Sequence, residues 1–187
     1  MTKLLILDRD GVINHDSDAF IKSPEEWNAI PGSLEAIARL SHAGWRIVIA
    51  SNQSGIGRGL FTMDTLSTIH TKMRRELAQA GGVIEAIFIC PHRPDDGCAC
   101  RKPANGMFSD IARRLDIPLI GVPAVGDSLR DLQAASQSGC VPWLVLTGKG
   151  QDTWAAAGES GELPMGTQIA DNLAAVADRL LGTPPNV

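Results

Sequence analysis

Short apolar runs alternate along the chain with longer segments of helical periodicity. The apolar runs predict strands at residues 3–7, 46–50, 86–89, 123–125 and 143–146. Runs this short that are followed by polar or glycine-containing sequence are typical of buried parallel strands. The alternation therefore predicts an α/β fold, with a doubly wound and mainly parallel sheet covered by helices on both faces.

Apolar positions three and four residues apart predict the helices between these strands. One such face contains Leu34, Ile37, Ala38 and Ser41, and another contains Leu66, Ile69, Met73 and Leu77. Both segments end at glycines, residue 44 and residues 81–82, as helices often do. Further helices are predicted at 106–115, 129–138 and 173–181. Residues 148–166 predict a loop, and the tail at about 183–187 is expected to be frayed.

Composition limits the class of protein. A chain of 187 residues with 44% hydrophobic and 20% charged residues predicts a single soluble domain over residues 1–187. No apolar run is long enough to cross a bilayer, and the start lacks the parts of a secretion signal, so we expect a cytoplasmic protein and a monomer. The net charge of −4 argues against a nucleic-acid partner but not against a small anionic substrate.

Polar residues follow four of the predicted strands, at residues 8–11, 51–55, 90–92 and 126–128. In an open parallel sheet, ligands bind beyond the carboxyl ends of the strands, so these segments are expected to meet at one site. Asp8, Asp10 and Asp127 could converge there on a hard cation such as Mg²⁺. Acidic residues at strand ends are also common turn formers, and it is the third acid that favours a metal site.

A carboxylate beside Mg²⁺ suits phosphoryl transfer, which needs mainly positioning and charge neutralisation. Asp8 is predicted to be the nucleophile and to form an aspartyl-phosphate that water then hydrolyses. Asp10 is predicted to protonate the leaving alcohol and then to take a proton from the attacking water. The sequence therefore predicts a phosphatase.

Three of the four cysteines lie in a loop at residues 90–100, together with a histidine. In a reducing compartment, Cys90, His92, Cys98 and Cys100 predict a tetrahedral Zn²⁺ site and not disulfides. Four protein ligands leave no position for water or substrate, so we expect a structural ion that orders the loop. Two basic residues, 101 and 102, follow the last ligand and would be positioned with it.

The run DRDGVIN at residues 8–14 resembles the first motif of phosphatases of the haloacid-dehalogenase (HAD) superfamily, and three further motifs follow in that family's order. The resemblance implies that Ser51 hydrogen-bonds the transferring phosphoryl group, that Lys102 neutralises it, and that Asp127 binds Mg²⁺. Each residue alone has a plainer interpretation: Ser51 and Asp127 as caps or turn residues, Lys102 as a solvated loop lysine. The ordered set favours the catalytic interpretation.

The resemblance also assigns finer roles around the metal. It implies that Asp8 gives Mg²⁺ a carboxylate oxygen and that Asp10 gives a backbone carbonyl. Asp131, one helical turn after Asp127, is expected to support the site without binding the metal.

Residues 51–55, the zinc loop and residues 101–103 are similar to the histidinol-phosphate and heptose-bisphosphate phosphatase branch of that superfamily, over nearly the whole chain. The short spacing between the first two motifs leaves no room for a cap domain, so a capless, Rossmann-like HAD fold is expected. Residues 54–59 are closer to the heptose form. This implies hydrolysis of the 7-phosphate of D-glycero-D-manno-heptose 1,7-bisphosphate, in heptose synthesis for the lipopolysaccharide core.

The same resemblance indicates which side chains contact the substrate. Arg58 or Arg101 would hold the distal phosphate. The other implied contacts are Asp16, Ser17, Asp18, Ala19, Ser51, Asn52, Gln53, Ser54, Lys102 and Ser128. Two departures concern these sugar contacts: residues 16–20 lack an expected Gly-Tyr, and Ser128 stands where some members carry lysine.

Several alternatives stay open from the sequence. The chain could hydrolyse histidinol phosphate or another sugar phosphate. A receiver-type signalling domain also has clustered aspartates, a hydroxyl residue and a lysine, although the zinc loop and the motif spacing fit it poorly. A silent sugar-phosphate binding protein would need a lost acid or lysine, and a phosphomutase usually needs a cap.

Overall fold

The computed structural model describes residues 3–158 and 160–182, and the predicted frayed tail at 183–187 lies outside them. The strands are β1 Leu4–Leu7, β2 Arg46–Asn52, β3 Ala86–Cys90, β4 Pro123–Gly126, β5 Val141–Val145 and β6 Gln168–Ala170. These described residues form one six-stranded sheet in the order β3-β2-β1-β4-β5-β6, and every pairing is parallel. The predicted parallel α/β sheet is confirmed.

Helices cover both faces of the sheet. They are α1 Ser33–His42, α2 Ser54–Gly57, α3 Met63–Gln79, α4 Gly106–Leu115, α5 Leu129–Gln137, α6 Gly150–Thr153 and α7 Leu173–Leu181. Leu5 and Leu7 of β1 pack in one hydrophobic cluster with residues of α1, α3 and α7. Leu4 and Ile6 pack in a second cluster with residues of α4 and α5. Because both faces of β1 are buried, the strand is a continuous apolar run.

Two parts of the prediction are wrong. The segment 148–166 is not simply a loop, because it contains α6 and a turn of π-helix, Trp154–Gly158. Strand β6 is absent from the sequence-based assignment, although Leu144 and Val145 of β5 pair with it. It is three residues long, and of these only Ala170 is buried, so it lacks an apolar run that could reveal it.

The arrangement of strands positions the carboxyl ends that carry polar residues. β1 lies between β2 and β4, where the direction of winding reverses, and the Asp8 N–H donates to Val125 O at 2.9 Å. This point of reversal is where open α/β sheets bind ligands. Residues 8–45, all described, contain a 3₁₀ turn, Pro24–Glu26, and α1 but no further domain, as the capless prediction requires. Among the described helices, none has the length and apolar character needed to span a membrane.

Candidate active site

Three buried carboxylates form a cluster at the ends of β1 and β4. Asp8, Asp127 and Asp131 each place an oxygen within 4.8 Å of the other two. Burial raises the pKa of Asp127 to about 8, and the charges of Asp131 and Asp8 contribute to the shift. Burial also raises the pKa of Asp8 to about 6, against the effect of Lys102. This set of hard oxygen ligands, crowded with negative charge, suits a cation such as Mg²⁺.

Lys102 lies beneath this cluster and is 2% exposed. Its Nζ is 2.6 Å from Asp131 Oδ1 and 3.2 Å from Asp8 Oδ1, and it donates to the carbonyl of Ala50 at 2.8 Å. Burial alone would lower the pKa of Lys102, but Asp131 and Asp8 raise it above its usual value. The ammonium group is therefore a fixed positive charge beside Asp8.

Asp131 connects Lys102 to the start of α5. Besides the Lys102 ion pair, Asp131 Oδ2 accepts from the N–H of Ser128 at 3.0 Å and from its hydroxyl group. Ser128 is the N-cap of α5, so these bonds form a capping box at the start of that helix. The same carboxylate thus holds both the catalytic lysine candidate and the helix that follows Asp127.

The carboxylate of Asp10 is held by a separate set of donors. Arg9, fully buried, donates from Nη2 to both carboxylate oxygens at 2.9 and 3.0 Å. Asn14 Nδ2 and Gln53 Nε2 donate to it at 2.9 and 3.0 Å. Burial would raise the pKa of Asp10, but Arg9 and these amide donors hold it below its usual value. The Asp10 carboxylate lines the cleft and is held there as an anion, outside the group of three clustered acids.

Two side chains after β2 connect the parts of the site. Gln53 Nε2 donates to Ser51 Oγ at 2.9 Å as well as to Asp10. Asn52 exchanges two hydrogen bonds with the backbone of Lys102, at 3.0 and 3.1 Å. The end of β2 therefore fixes both the Ser51 hydroxyl group and the backbone that carries Lys102.

Two glycines allow the backbone to approach Asp127 closely. Gly11 has φ +80° and Gly148 has φ +57°, and a Cβ at either position would overlap Asp127 Oδ2. The N–H of Lys149 donates to that same oxygen at 2.8 Å. Only glycine combines this left-handed backbone with the space that the carboxylate needs.

We expect Gly11→Ala to destabilise the chain more than Gly44→Ala. Both positions have φ near +80°, but nothing lies within 4 Å of a Cβ at Gly44. Gly44→Ala should therefore cost only backbone strain, about 1 kcal/mol, whereas Gly11→Ala should cost about 2–4 kcal/mol because it also displaces Asp127. Urea denaturation of both variants measures the difference. Equal losses would contradict the steric explanation.

The four predicted zinc ligands lie together after β3. The Sγ atoms of Cys90, Cys98 and Cys100 are 3.2–3.6 Å apart, and His92 Nδ1 is 3.5 Å from Cys90 Sγ and 3.2 Å from Cys100 Sγ. Ligands about 2.3 Å from a tetrahedral zinc ion would be separated by about 3.7 Å. The cysteines are free thiols, so this group could hold a metal ion.

A cleft of about 200 Å³ adjoins the acidic cluster. Most of the predicted substrate contacts line it: Asp16, Ser17, Asp18, Ser51, Asn52, Gln53, Ser54, Arg58 and Arg101. Three predicted contacts do not: Ala19 is exposed on a turn, Ser128 caps α5, and Lys102 is buried beneath Asp8.

Four further cleft residues were missed by sequence reasoning: Phe20, Ile21, Arg130 and Lys149. Lys149 follows β5, so the rule that located the other strand ends could have found it. Its Nζ lies 3.4 Å from Asp16 Oδ2 and 3.1 Å from Asp18 Oδ1, and these ion pairs connect residues 16–20, called the Asp16 loop below, to the loop after β5. Arg130 directly precedes Asp131, a residue already expected to support the site, and this adjacency was the signal that could have identified it.

Comparison with known proteins gives consistent results over most of the chain. A family model described as HAD-hydrolase-like matches residues 99–176, and one described as polynucleotide kinase 3 phosphatase matches residues 3–126. The D-glycero-beta-D-manno-heptose-1,7-bisphosphate 7-phosphatase of Bordetella bronchiseptica is 66% identical over 96% of this chain and 98% of the relative. The Pseudomonas putida enzyme of the same name is 54% identical over 96% of this chain and 99% of its own.

Solved structures show the same relationship. The crystal structure of D,D-heptose 1,7-bisphosphate phosphatase from B. bronchiseptica, complexed with magnesium and phosphate, superposes with a TM-score of 0.93. That structure is 65% identical and covers 97% of this chain and 99% of its own. The Burkholderia thailandensis enzyme has a TM-score of 0.76 at 52% identity, over 96% of this chain and 98% of its own.

Proposed function

Because this chain belongs to the D-glycero-beta-D-manno-heptose-1,7-bisphosphate 7-phosphatases of the HAD superfamily, we propose that it hydrolyses the 7-phosphate of that sugar bisphosphate in heptose biosynthesis. The chain is a phosphoric monoester hydrolase, and a receiver-type signalling role is set aside by this membership. The observation that carries the proposal is the 66% identity to the B. bronchiseptica enzyme along almost the whole chain. We further propose that it acts as a cytoplasmic monomer.

In the first step, a carboxylate oxygen of Asp8 attacks the phosphorus of the 7-phosphate. The bond from phosphorus to the sugar oxygen breaks, and that oxygen takes a proton from Asp10 as heptose 1-phosphate leaves. Lys102, 3.2 Å from Asp8 Oδ1, places its positive charge beside the transferring group. Ser51, held by Gln53, supplies a hydroxyl donor to the same group.

In the second step, Asp10 accepts a proton from the water that attacks the aspartyl-phosphate, and inorganic phosphate is released. Its contacts with Arg9, Asn14 and Gln53 suit this step because they stabilise the anion. For the first step Asp10 must be protonated. The negative charge of an incoming phosphate ester opposes the effect of Arg9, so substrate binding favours that proton.

Magnesium fits the acidic cluster, because among the described residues only Lys102 forms ion pairs with these three buried carboxylates. Asp8, Asp127 and the backbone carbonyl of Asp10 would hold the ion, with Asp131 engaged by Lys102. When bound, Mg²⁺ supplies charge neutralisation for the phosphoryl group and the carboxylates.

Zinc fits the Cys90–His92–Cys98–Cys100 group by the softness of its ligands and by their near-tetrahedral separations. We propose that the ion is structural. Burial opposes ionisation of Cys98, but backbone hydrogen bonds lower its pKa to about 7, which favours the thiolate that zinc requires.

Substrate selection would come from the loops around the cleft. The Arg58 guanidinium lies 5.7 Å from the centre of the Phe20 ring, which orients it at the cleft. Arg58 and Arg101 are positioned to attract the distal phosphate, and Asp16 and Asp18 offer acceptors for sugar hydroxyl groups. This arrangement favours a substrate with anionic groups at both ends.

The proposal is tested by measuring kcat/KM for heptose 1,7-bisphosphate and histidinol phosphate with Mg²⁺ at equal enzyme concentration. We expect the heptose substrate to be preferred by at least about 100-fold, since histidinol phosphate leaves the arginines of the cleft without a partner. A preference for histidinol phosphate would overturn the proposal. Inorganic phosphate release is a suitable readout for both.

A further inference from the structure

We propose that Arg130 is a specificity-determining residue that, together with Arg58 and Arg101, forms a binding site for the phosphate at the far end of the substrate. All three residues line the cleft that adjoins Asp8. The inference rests on the proposed function and deepens it, because it assigns to Arg130 the distinction between a sugar bisphosphate and a sugar monophosphate.

The three guanidinium groups concentrate positive charge in the cleft and form no ion pair with a described residue; the charge of Arg130 does act on Asp131, but that carboxylate is already paired with Lys102. Among the described residues, no carboxylate lies within 4.0 Å of any of them, whereas Asp16 and Asp18 on the same cleft are already paired with Lys149. Nη1 of Arg101 is buried and has no hydrogen-bond partner in the described structure. The three guanidinium groups line the same cleft, so their like charges repel one another. An anion would relieve this repulsion and satisfy the buried donor.

The position of Arg130 in α5 does not favour the stability of that helix. It is the second residue of α5, in the first turn, where the partial positive charge of the helix end disfavours a cation. Acidic residues are preferred there, and Asp131 shows that preference one position later. A residue that breaks a local rule of stability without forming an ion pair is expected at a functional site.

The chemistry of the cluster selects a phosphate monoester. Arginine forms planar, bidentate hydrogen bonds with phosphate oxygens, and a dianion can engage more than one guanidinium group. Lys102 and the acidic cluster serve the phosphoryl group that is transferred, so a second, separate anionic group of the substrate is needed to engage the arginines. A sugar phosphorylated at both ends meets this requirement.

The experiment measures kcat/KM for heptose 1,7-bisphosphate and heptose 7-phosphate in wild type, Arg130→Ala, Arg130→Lys and the control Arg113→Ala. Arg113 is an exposed arginine of α4 that pairs with Asp110, away from the cleft. Arg130→Ala should lower kcat/KM for the bisphosphate about 10- to 100-fold and leave that for the monophosphate within about twofold. Arg130→Lys should recover part of the loss, and Arg113→Ala should match wild type.

Urea denaturation accompanies these assays. Arg130→Ala should be as stable as wild type or more so, because it removes a cation from the first turn of α5. Equal losses on both substrates, or no loss on either, would overturn the role of Arg130. If wild type prefers histidinol phosphate, the proposed function is wrong whatever the result for Arg130. The role of Arg130 is then tested by comparing kcat/KM for fructose 1,6-bisphosphate and fructose 6-phosphate in the same variants.

Discussion

The Asp8→Asn variant is expected to release phosphate at least about 10⁴-fold more slowly than wild type, which is the largest effect that the structure predicts. The amide is nearly the same size as the carboxylate, but its oxygen is a poor nucleophile. It also removes an ionisable group from three crowded carboxyl groups whose burial and mutual charges oppose ionisation. Without Mg²⁺, we therefore expect Asp8→Asn to be at least as stable to urea as wild type. Loss of turnover together with retained stability is the signature of a nucleophile.

Steady-state phosphate release and urea denaturation measure these two effects. Asp110→Asn is the matched control, because Asp110 lies on α4 and pairs with Arg113 and Arg114 at the surface. It should keep the wild-type rate. If Asp8→Asn retained more than about 1% of activity, Asp8 would not be the attacking group, and a directly attacking water would have to be considered.

Removal of zinc is expected to have the second-largest effect, a loss of about 10- to 100-fold in kcat/KM. The metal ligands end at Cys100, and Lys102 is two residues further along. Without the ion, the four ligand groups would no longer fix the loop, and the two Asn52 hydrogen bonds would have to hold the Lys102 backbone alone. Metal analysis should find one zinc per chain in wild type and less in Cys100→Ser.

Cys140→Ala is the control for this experiment. Cys140 is buried among apolar residues of the second hydrophobic cluster, and burial raises the pKa of its thiol to about 12. Its loss should cost about 1 kcal/mol of stability but no zinc and little activity. Replacement of zinc by Co²⁺ should leave the rate nearly unchanged if the ion is structural. A large change in rate with Co²⁺ would instead indicate a metal that contacts the substrate.

The sequence predicts the apolar strands of this fold better than its short polar edge strand. Strands β1, β2, β4 and β5 are apolar because they lie inside the sheet with their faces largely buried, the edge strand β3 keeps an apolar run of its own, and glycine marks the end of α1. β6 lies at the edge of the sheet with Gln168 exposed, so pairing with β5, not its own pattern, makes it a strand. The helical turns at 150–158 consist largely of small and polar residues, which carry little periodic signal.

The residues of the candidate site likewise divide into those that the sequence could predict and those that it could not. Asp8, Asp10, Ser51 and Asp127 could be predicted because they follow strands, and topology brings strand ends together. Arg9 could not, because an arginine beside two aspartates looks solvated in sequence, whereas it is fully buried against Asp10. Arg130 and Lys149 were missed although each had a signal, since Lys149 follows β5 and Arg130 directly precedes Asp131 in α5.

The sheet also separates the side chains that depend on the core for their position from those that do not. The proposed catalytic groups lie at strand ends or are hydrogen-bonded to them, as the Lys102 backbone is to Asn52. Their geometry therefore depends on the packed core. The Asp16 loop and Arg58 depend on the core far less. The loop is held chiefly by the ion pairs of Lys149 with Asp16 and Asp18, and Arg58 is held by its contact with Phe20. Substitutions at these surface positions should therefore change which substrate binds while leaving the geometry of the catalytic groups unchanged.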